Sequence, residues 1–582
     1  MVATRAIRHG HRPPIADPSV GPSFGAHRPL QPLHPKGPRL DVVTLSLFLL
    51  LAVVISGVVS RILPSALPRP LVQIALGAVI GGIAQIRVEL DPEIFFLLFV
   101  PPLLFLDGWR IPKDELFRDA GAVLGLALGL VFLTVLGMGL FIHWMIPAVP
   151  YAVAFALAAV VSPTDPIAVS AIAQKAPIPK RMMHILEGES LLNDASGLVC
   201  LRFAVAAALT GTFSLTHAGL TFAWMAVSGV GLGVAIAWGT VTAKGVFARR
   251  FGDDSGSNIL VSLLIPFAAY MVAEHVESSG VLAAAAAGIA MSFTNVSSGA
   301  KAATRIRRQA VWDMLQFTLN GIIFVLLGEQ LPQVFAGARD TVMLTGHLSP
   351  WWLGLYVVAI VTGLAGLRFL WTWVALRLTL FRERHLPNRT SPPRRVITAM
   401  SVAGARGAIT LAGALTLPLT LNDGTPFPAR DLVIFLACGV ILCSLVIASL
   451  TLPLLLRGLA LPSEDGISEL DRTRVAAAKA AIAELERFQH EMAEGREDAD
   501  QYVEIASRLM DGYRSRIDTL EGDDDPDARR LEDVERRMRL AAIRAERRVV
   551  FELLNARAIG SETAQRLGRE LDLIDTRLST QG

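Results

Sequence analysis

Ser162-Pro163-Thr164-Asp165-Pro166 interrupts one long apolar run, and Glu189-Ser190-Leu191-Leu192-Asn193-Asp194 lies inside the next. Acids at membrane depth are costly to keep, so a carboxylate there marks a functional site by default. Pro163 and Pro166 each lack an N–H and each crowds the preceding turn, so no helix passes smoothly through this stretch. The carbonyls and hydroxyls that the break releases need other partners. Beside a buried Asp, a small cation or a proton is the natural one.

Working outward, the 582 residues are 52% hydrophobic and only 18% charged. Soluble domains carry about a quarter charged residues. The charges are thin between about residues 41 and 456 and dense from 462 onward. The fold class is therefore an all-α polytopic membrane protein with a helical C-terminal tail. The net charge of +3 hides this asymmetry and points to no particular partner. Neither a nucleic-acid motif nor a P-loop is evident, which argues against a nucleic-acid partner and against a nucleotide-driven pump. Cys200, Cys438 and Cys443 all fall in apolar segments and read as small buried side chains, not a disulfide framework or a metal site.

Residues 1–40 are rich in Pro, His and Arg and lack apolar periodicity. They read as a disordered extension, or as a stretch outside the natural protein if translation starts near Val42 or Val43. They are not a signal peptide, since the apolar segment lies too far in. Residues 41–456 form the transmembrane domain. A span needs about 20 apolar residues, and such runs fall near 41–60, 68–86, 92–109, 120–142, 150–173, 184–210, 219–243, 258–276, 280–295, 310–331, 350–377, 395–420 and 430–456. Lys and Arg collect in alternate loops, from Arg61 and Arg69 through Arg110, Lys113 and Arg118 to Arg394 and Arg395. With those loops cytoplasmic, thirteen spans put the N-terminus outside and the tail inside. Residues 457–582 mix Ala, Leu, Glu and Arg at helical spacing. They read as three or four cytoplasmic helices, either a regulatory or self-associating module or a solubilising tail.

Asp165 and Asp194 lie on consecutive antiparallel spans joined by a short loop, so they can face one another near the midplane. Burial penalises a carboxylate's charged form, which either a proton or a small cation relieves. One group that takes either is the minimal antiport device, and Ser190, Thr164 and the freed carbonyls can add oxygen ligands. Arg406, mid-span in Ala403-Gly404-Ala405-Arg406-Gly407-Ala408, stays charged and must be paired. Glu189 is its expected partner, with Asn193 bridging by hydrogen bonds and Asp194 left free. Asp107 sits near the end of the third span and either guards the ion's access path or caps the helix. Glu187, Glu274 and Glu329 read as solvated or ion-paired, Glu274 and Glu329 near the outer surface. His184 and Asn320 read as satisfied packing groups. A broken fifth span and a Gly-broken twelfth span occupy matching places in two six-span halves, the pattern of an inverted-repeat transporter.

Pro101-Pro102-Leu103-Leu104-Phe105, Ser162–Pro166, Gly188–Ala195 and Arg406-Gly407-Ala408 together resemble the sodium/proton exchanger superfamily, and more narrowly the bacterial cation:proton antiporter-1 family. The resemblance spans residues 41–456. It implies thirteen helices, about six in each inverted repeat, a homodimer in the bacterial inner membrane, and crossing broken helices at the fifth and twelfth spans. It implies Asp194 as the ion- and proton-carrying carboxylate, completed by Asp165, Ser190 and the Thr164 carbonyl. Glu189, Asn193 and Arg406 become the structural ion pair and its bridge. Transported Na⁺ is the only metal implied, held by Asp194 and Asp165, and no cofactor is. The Asn193-Asp194 pair resembles the electroneutral branch. Relatives place an acid where this chain has Leu106, so Asp107, about 100° further round a helix, is displaced from direct coordination. The expected function is Na⁺/H⁺ exchange by alternating access. K⁺/H⁺ exchange, a passive channel and a membrane sensor are the alternatives, and no enzymatic activity is expected.

Overall fold

The computed structural model describes residues 42–62, 67–84, 92–111, 113, 120–166, 169–170, 180–211, 214–252, 254–297, 302–343, 345–347, 349–382, 394–456, 469–493, 499–521 and 526–579. The expectation for residues 1–40 lies outside them, as do several of the charged loops. The chain divides into two units, Met1–Leu459 and Ala460–Gly582.

Every regular element among the first unit's described residues is a helix, apart from one isolated bridge between Thr420 and Pro426. Its helices in order are α1 (Val42–Ile62), α2 (Arg69–Ala84), α3 (Pro92–Arg110), α4 (Ala120–Leu124), α5 (Val131–Met145), α6 (Tyr151–Val160) and α7 (Lys180–Thr210). Then come α8 (Leu215–Phe251), α9 (Ser255–His275), α10 (Gly280–Ser297), α11 (Ala302–Ala336), α12 (Ala338–Met343) and α13 (Trp351–Arg382). The unit closes with α14 (Arg394–Val402), α15 (Ala408–Leu415) and α16 (Arg430–Leu456). A π-helical turn, Gly125–Leu130, joins α4 to α5. Seven helices among the described residues are long and apolar enough to cross a membrane, and four shorter apolar helices accompany them. Each apolar run expected from the sequence carries helix.

Large apolar side chains on the outside are the mark of a lipid-facing surface. Phe48, Leu51 and Val54 on α1, and Trp224, Val227 and Trp238 on α8, are all exposed. Inside, α16 is the most buried of those seven long helices, with Leu436, Ile441, Leu445 and Leu452 fully enclosed. In lipid, helices associate by close packing, which small residues permit. Gly108 of α3 and Gly288 of α10 each meet the other helix's backbone so closely that a Cβ on either would collide with it. This contact fixes which way α3 faces. Phe105 and Leu106 turn into the core with Trp312, and Asp107 turns towards the two broken spans.

Those two spans decide the architecture. α6 stops at Val160, residues 163–165 are non-helical, and helix resumes at Pro166. α14 stops at Val402, residues 404–407 are non-helical, and α15 starts at Ala408. The two breaks bond to each other: the Asp165 amide donates to the Ala405 carbonyl at 2.7 Å, and Arg406 Nε donates to the Val161 carbonyl at 2.9 Å. Some of the backbone groups freed by unwinding are thereby satisfied inside the protein, as irregular backbone at this depth requires unless it lines a water-filled cavity.

The second unit holds α17 (Glu469–Ala493), α18 (Ala499–Glu521), α19 (Pro526–Asn555) and α20 (Ser561–Ser579). α17 packs on α18 through Val475, Ala478, Tyr513 and Ile517, and Lys479 pairs with Glu521 at 2.7 Å. α19 packs on α20, where Arg547 reaches Asp572 and Asp575 at 2.7 and 3.1 Å.

Candidate ion-binding site

α7 carries two polar stripes, because residues four apart share a helix face. Ser190 and Asp194 form one, and Glu189 and Asn193 form the other. Both residues of each stripe are buried. The first stripe lines a cavity of about 40 Å³, together with Asp107, Thr164, Asp165, Asn320 and the segment Gly407–Thr410. At about 10–15 Å³ per water, this holds a few water-sized occupants. The structure thus brings Asp194, Asp165, Ser190 and Thr164 together at the crossing of the two breaks. The Ser190 hydroxyl donates to the Thr164 carbonyl at 2.7 Å, leaving its own lone pairs for another partner. Asp194 makes no side-chain hydrogen bond or ion pair among the described residues.

α15 begins at the cavity, with Gly407 as its N-cap. A helix N-terminus carries partial positive charge and favours an anion. The Asp165 carboxylate lies against Gly407 so closely that any Cβ there would overlap it. Pro163 sits in a similar way on Gly197 of α7. Glycine at 407 is therefore a requirement of close approach, and it seats Asp165 at the head of the half-helix.

The second stripe holds the structural ion pair, and here the sequence reading is corrected. Glu189 pairs with Arg368 of α13, not with Arg406. Arg368 Nη1 and Nη2 donate to the two Glu189 oxygens at 2.5 and 2.6 Å, with both side chains out of solvent. Arg368 Nε holds the Met400 carbonyl at the end of α14 at 2.9 Å. The Arg406 guanidinium instead bonds the carbonyls of Val161 and Gly404, one on each break, while its backbone N–H donates to Ser444 Oγ at 3.1 Å. The physical reason lies in the backbone. Arg406 sits in unwound chain, where carbonyls are free to accept. Arg368 sits within a continuous helix whose carbonyls are occupied, so it needs a carboxylate. Asn193 acts as a bridge in a modified way: its amide donates to Thr164 Oγ1 at 2.9 Å and to Glu189 Oε1 at 3.5 Å. It therefore ties the ion pair to the first break. Its own carbonyl oxygen is buried without a hydrogen-bond partner.

Arg368 went unread although its signal was present, a lone cation in the middle of an apolar run. Asp107 and Asn320 also differ from expectation. Leu106 packs into the core, and Asp107 lines the cavity with the other two aspartates. Asn320 lines it too, in place of a purely packing role. Both residues also border a larger cavity of about 650 Å³, lined further by Arg69, Arg110, His184, Glu187 and Asp313. The linings of the two cavities share Asp107, Pro166 and Asn320, so the larger one adjoins the smaller as a vestibule. Glu329 is not near solvent; it is buried and accepts from Gln330 at 3.0 Å. Glu274 is paired, with Arg202 at 2.8 and 3.0 Å, and accepts from the Gly280 amide at 3.2 Å.

The family model described as sodium/hydrogen exchanger, transmembrane, matches residues 47–458. The chain belongs to the sodium/hydrogen exchanger family. Among exchangers of this family, an Escherichia coli relative described as an uncharacterized Na⁺/H⁺ exchanger is 40% identical over 555 residues, covering 93% of this chain and 99% of its own. An alignment of that extent includes most of the C-terminal unit, since residues 1–459 cannot hold it alone. A Bacillus subtilis relative named a sodium, potassium, lithium and rubidium/H⁺ antiporter is 38% identical over 532 residues, covering 90% of this chain and 76% of its own. Among solved exchangers, the sodium proton antiporter MjNhaP1 of Methanocaldococcus jannaschii shares the fold, with a TM-score of 0.53 at 19% identity over 72% of this chain and 99% of that one.

Proposed function

We propose that the protein exchanges a monovalent cation for a proton across the membrane, with Asp194 as the shared carrier. One observation carries the reading. Three aspartates, a serine hydroxyl and a break carbonyl converge on a cavity at the crossing of two broken helices, and a vestibule reaches it. Asp194 has no hydrogen-bond or ion-pair partner among the described residues, so either a proton or a cation can neutralise it. Asp165, seated at the head of α15, supplies a second carboxylate, and Ser190 and the Thr164 carbonyl supply neutral oxygens. The Glu189–Arg368 pair holds α7 to α13, and Arg368 Nε holds the end of α14, without drawing on the cavity's acids.

Transport follows from charge. Moving an uncompensated carboxylate through a low-dielectric barrier is costly, so only the neutralised site crosses. A proton bound from one side is released when a cation binds from the other, and the exchange is electroneutral. The vestibule is lined by Arg69 and Arg110, which the positive-inside rule assigns to the cytoplasmic side. A bacterial inner-membrane location, a cytoplasmic C-terminal unit and a homodimer belong to the same proposal, resting on the loop charges and the family.

Asp194→Asn in proteoliposomes tests it: cation-driven dissipation of a pH gradient should vanish, and undiminished exchange would overturn the reading. A second reading, in which K⁺ is exchanged as well as Na⁺, is favoured by the four-cation name of the Bacillus subtilis relative. A panel of Na⁺, Li⁺ and K⁺ in the same vesicles separates the two.

A further inference from the structure

The hydroxyls of helical Ser and Thr in this protein mostly fold back on their own helix. Thr240, Thr362, Ser401 and Thr451 each donate to the carbonyl four residues earlier, at 2.7–2.8 Å. Thr410 does not. It is 1% exposed, and its hydroxyl has no hydrogen-bond partner among the described residues. The break explains this. Thr410 is the third residue of α15, so the residues three and four before it are Gly407 and Arg406, which lie outside the helix. Neither carbonyl accepts from the Thr410 hydroxyl. A buried hydroxyl left without a partner is unfavourable, and such groups in native proteins normally find one. Thr372 of α13 shares the orphaned state, but it lines neither the small cavity nor the vestibule. Thr410 lines the small cavity, in company with Asp165, Asp194 and Ser190.

We propose that the Thr410 hydroxyl is a further oxygen ligand of the site, contacting the transported cation or the water it carries. The proposal rests on the antiport reading of this cavity. Asp194 and Ser190 come from α7, and Asp165 and the Thr164 carbonyl from the first break, while Thr410 comes from the second broken span. A ligand from each broken span would bind the cation across their crossing. Discrimination among monovalent cations depends on the number and field strength of the coordinating oxygens, so a neutral hydroxyl here bears on affinity and selectivity. It does not carry the proton.

The test is transport by purified, reconstituted full-length protein bearing Thr410→Val, which keeps the shape and removes the hydroxyl, beside Thr410→Ser, which keeps the hydroxyl. The expected result is a rise of about tenfold in KM for Na⁺ in the Val variant, with Vmax falling much less and the Na⁺/Li⁺/K⁺ preference altered. The Ser variant should stay within about twofold of the parent. Because cation and proton compete, a ligand of the cation alone raises KM by the same factor at every pH. An unchanged KM for all three cations overturns the proposal, as does an increase that vanishes at alkaline pH or one that Ser fails to restore. Should Thr410→Val not fold, Thr410→Ala takes its place, read by the Na⁺-dependent rise in melting temperature, which should shrink. Asp194→Asn separates the two levels. Retained exchange in that variant overturns the antiport reading and this proposal with it. Lost exchange, with Thr410→Val like the parent, overturns this proposal alone.

Discussion

Glu189 and Arg368 meet fork to fork at 2.5 and 2.6 Å, fully enclosed between α7 and α13. A pair so placed contributes less by its attraction than by what its loss leaves behind. Removing one partner strands a charge out of water, at about 3–5 kcal/mol. Glu189→Gln and Arg368→Ala should each lower the melting temperature of the detergent-purified protein sharply. Glu189→Gln combined with Arg368→Met should recover much of the loss, because no charge is then stranded. Arg368→Lys should fall between, since an ammonium cannot make the two parallel bonds. A double variant no more stable than either single one would contradict this account.

Gly407 supports the site by its lack of a side chain. The Asp165 carboxylate occupies the space that a Cβ would need. In Gly407→Ala either Asp165 or the head of α15 must shift. Exchange should fall by at least about tenfold, since a shift on the ångström scale at a reacting site commonly costs that and more. The melting temperature should change far less than in the Glu189 variants. Exchange rates in vesicles and melting curves in detergent, measured on the same preparation, check both halves of the prediction.

The breaks were legible because their causes are local. Pro163 and Pro166 forbid a continuous helix, and Gly404 and Gly407 loosen one wherever they stand. The grouping of Ser190 with Asp194 was legible for the same reason, since it follows from helical period alone. The partner of Glu189 was not. Two arginines, 368 and 406, satisfy the same criterion of a lone cation in an apolar run. What separates them is the supply of free carbonyls around Arg406, a property of the folded breaks. The facing of Asp107 was hidden in a similar way. Its neighbour Leu106 is drawn into the core by the glycine-mediated contact of α3 with α10. That leaves the cavity to the next residue along. Thr410 escaped notice because an orphaned hydroxyl is visible only once helix ends are placed.

Outside the spans, Asp254 is the N-cap of α9. Its carboxylate accepts from the Ser257 amide and hydroxyl, both at 2.7 Å, and these bonds hold it below the usual carboxylate range. The sign follows directly. A depressed folded-state value gives stability that is fully present above the unfolded value, about 3.9, and is lost as pH falls through the folded one. Between neutral pH and pH 5, Asp254→Asn should melt below the parent by a constant margin. Only on further acidification should the gap between them narrow. A gap that changes between pH 5 and pH 8 would place the titration elsewhere.

Asp107 borders both the vestibule and the small cavity, as does Asn320. A cation travelling from one to the other passes between them, so the Asp107 charge attracts it along the path. Asp194 differs in lining only the small cavity of the two. The two acids should therefore fail differently. Asp107→Asn should raise KM for the cation several-fold and keep measurable turnover at saturating cation, because the carrier carboxylate is intact. Asp107→Glu, which keeps the charge on a stem one carbon longer, should lie closer to the parent. Asp194→Asn should show no exchange at any cation concentration. Complete loss in Asp107→Asn at saturating Na⁺ would make this residue a second carrier of the proton or ion, and the path would then end one residue earlier than the geometry places it.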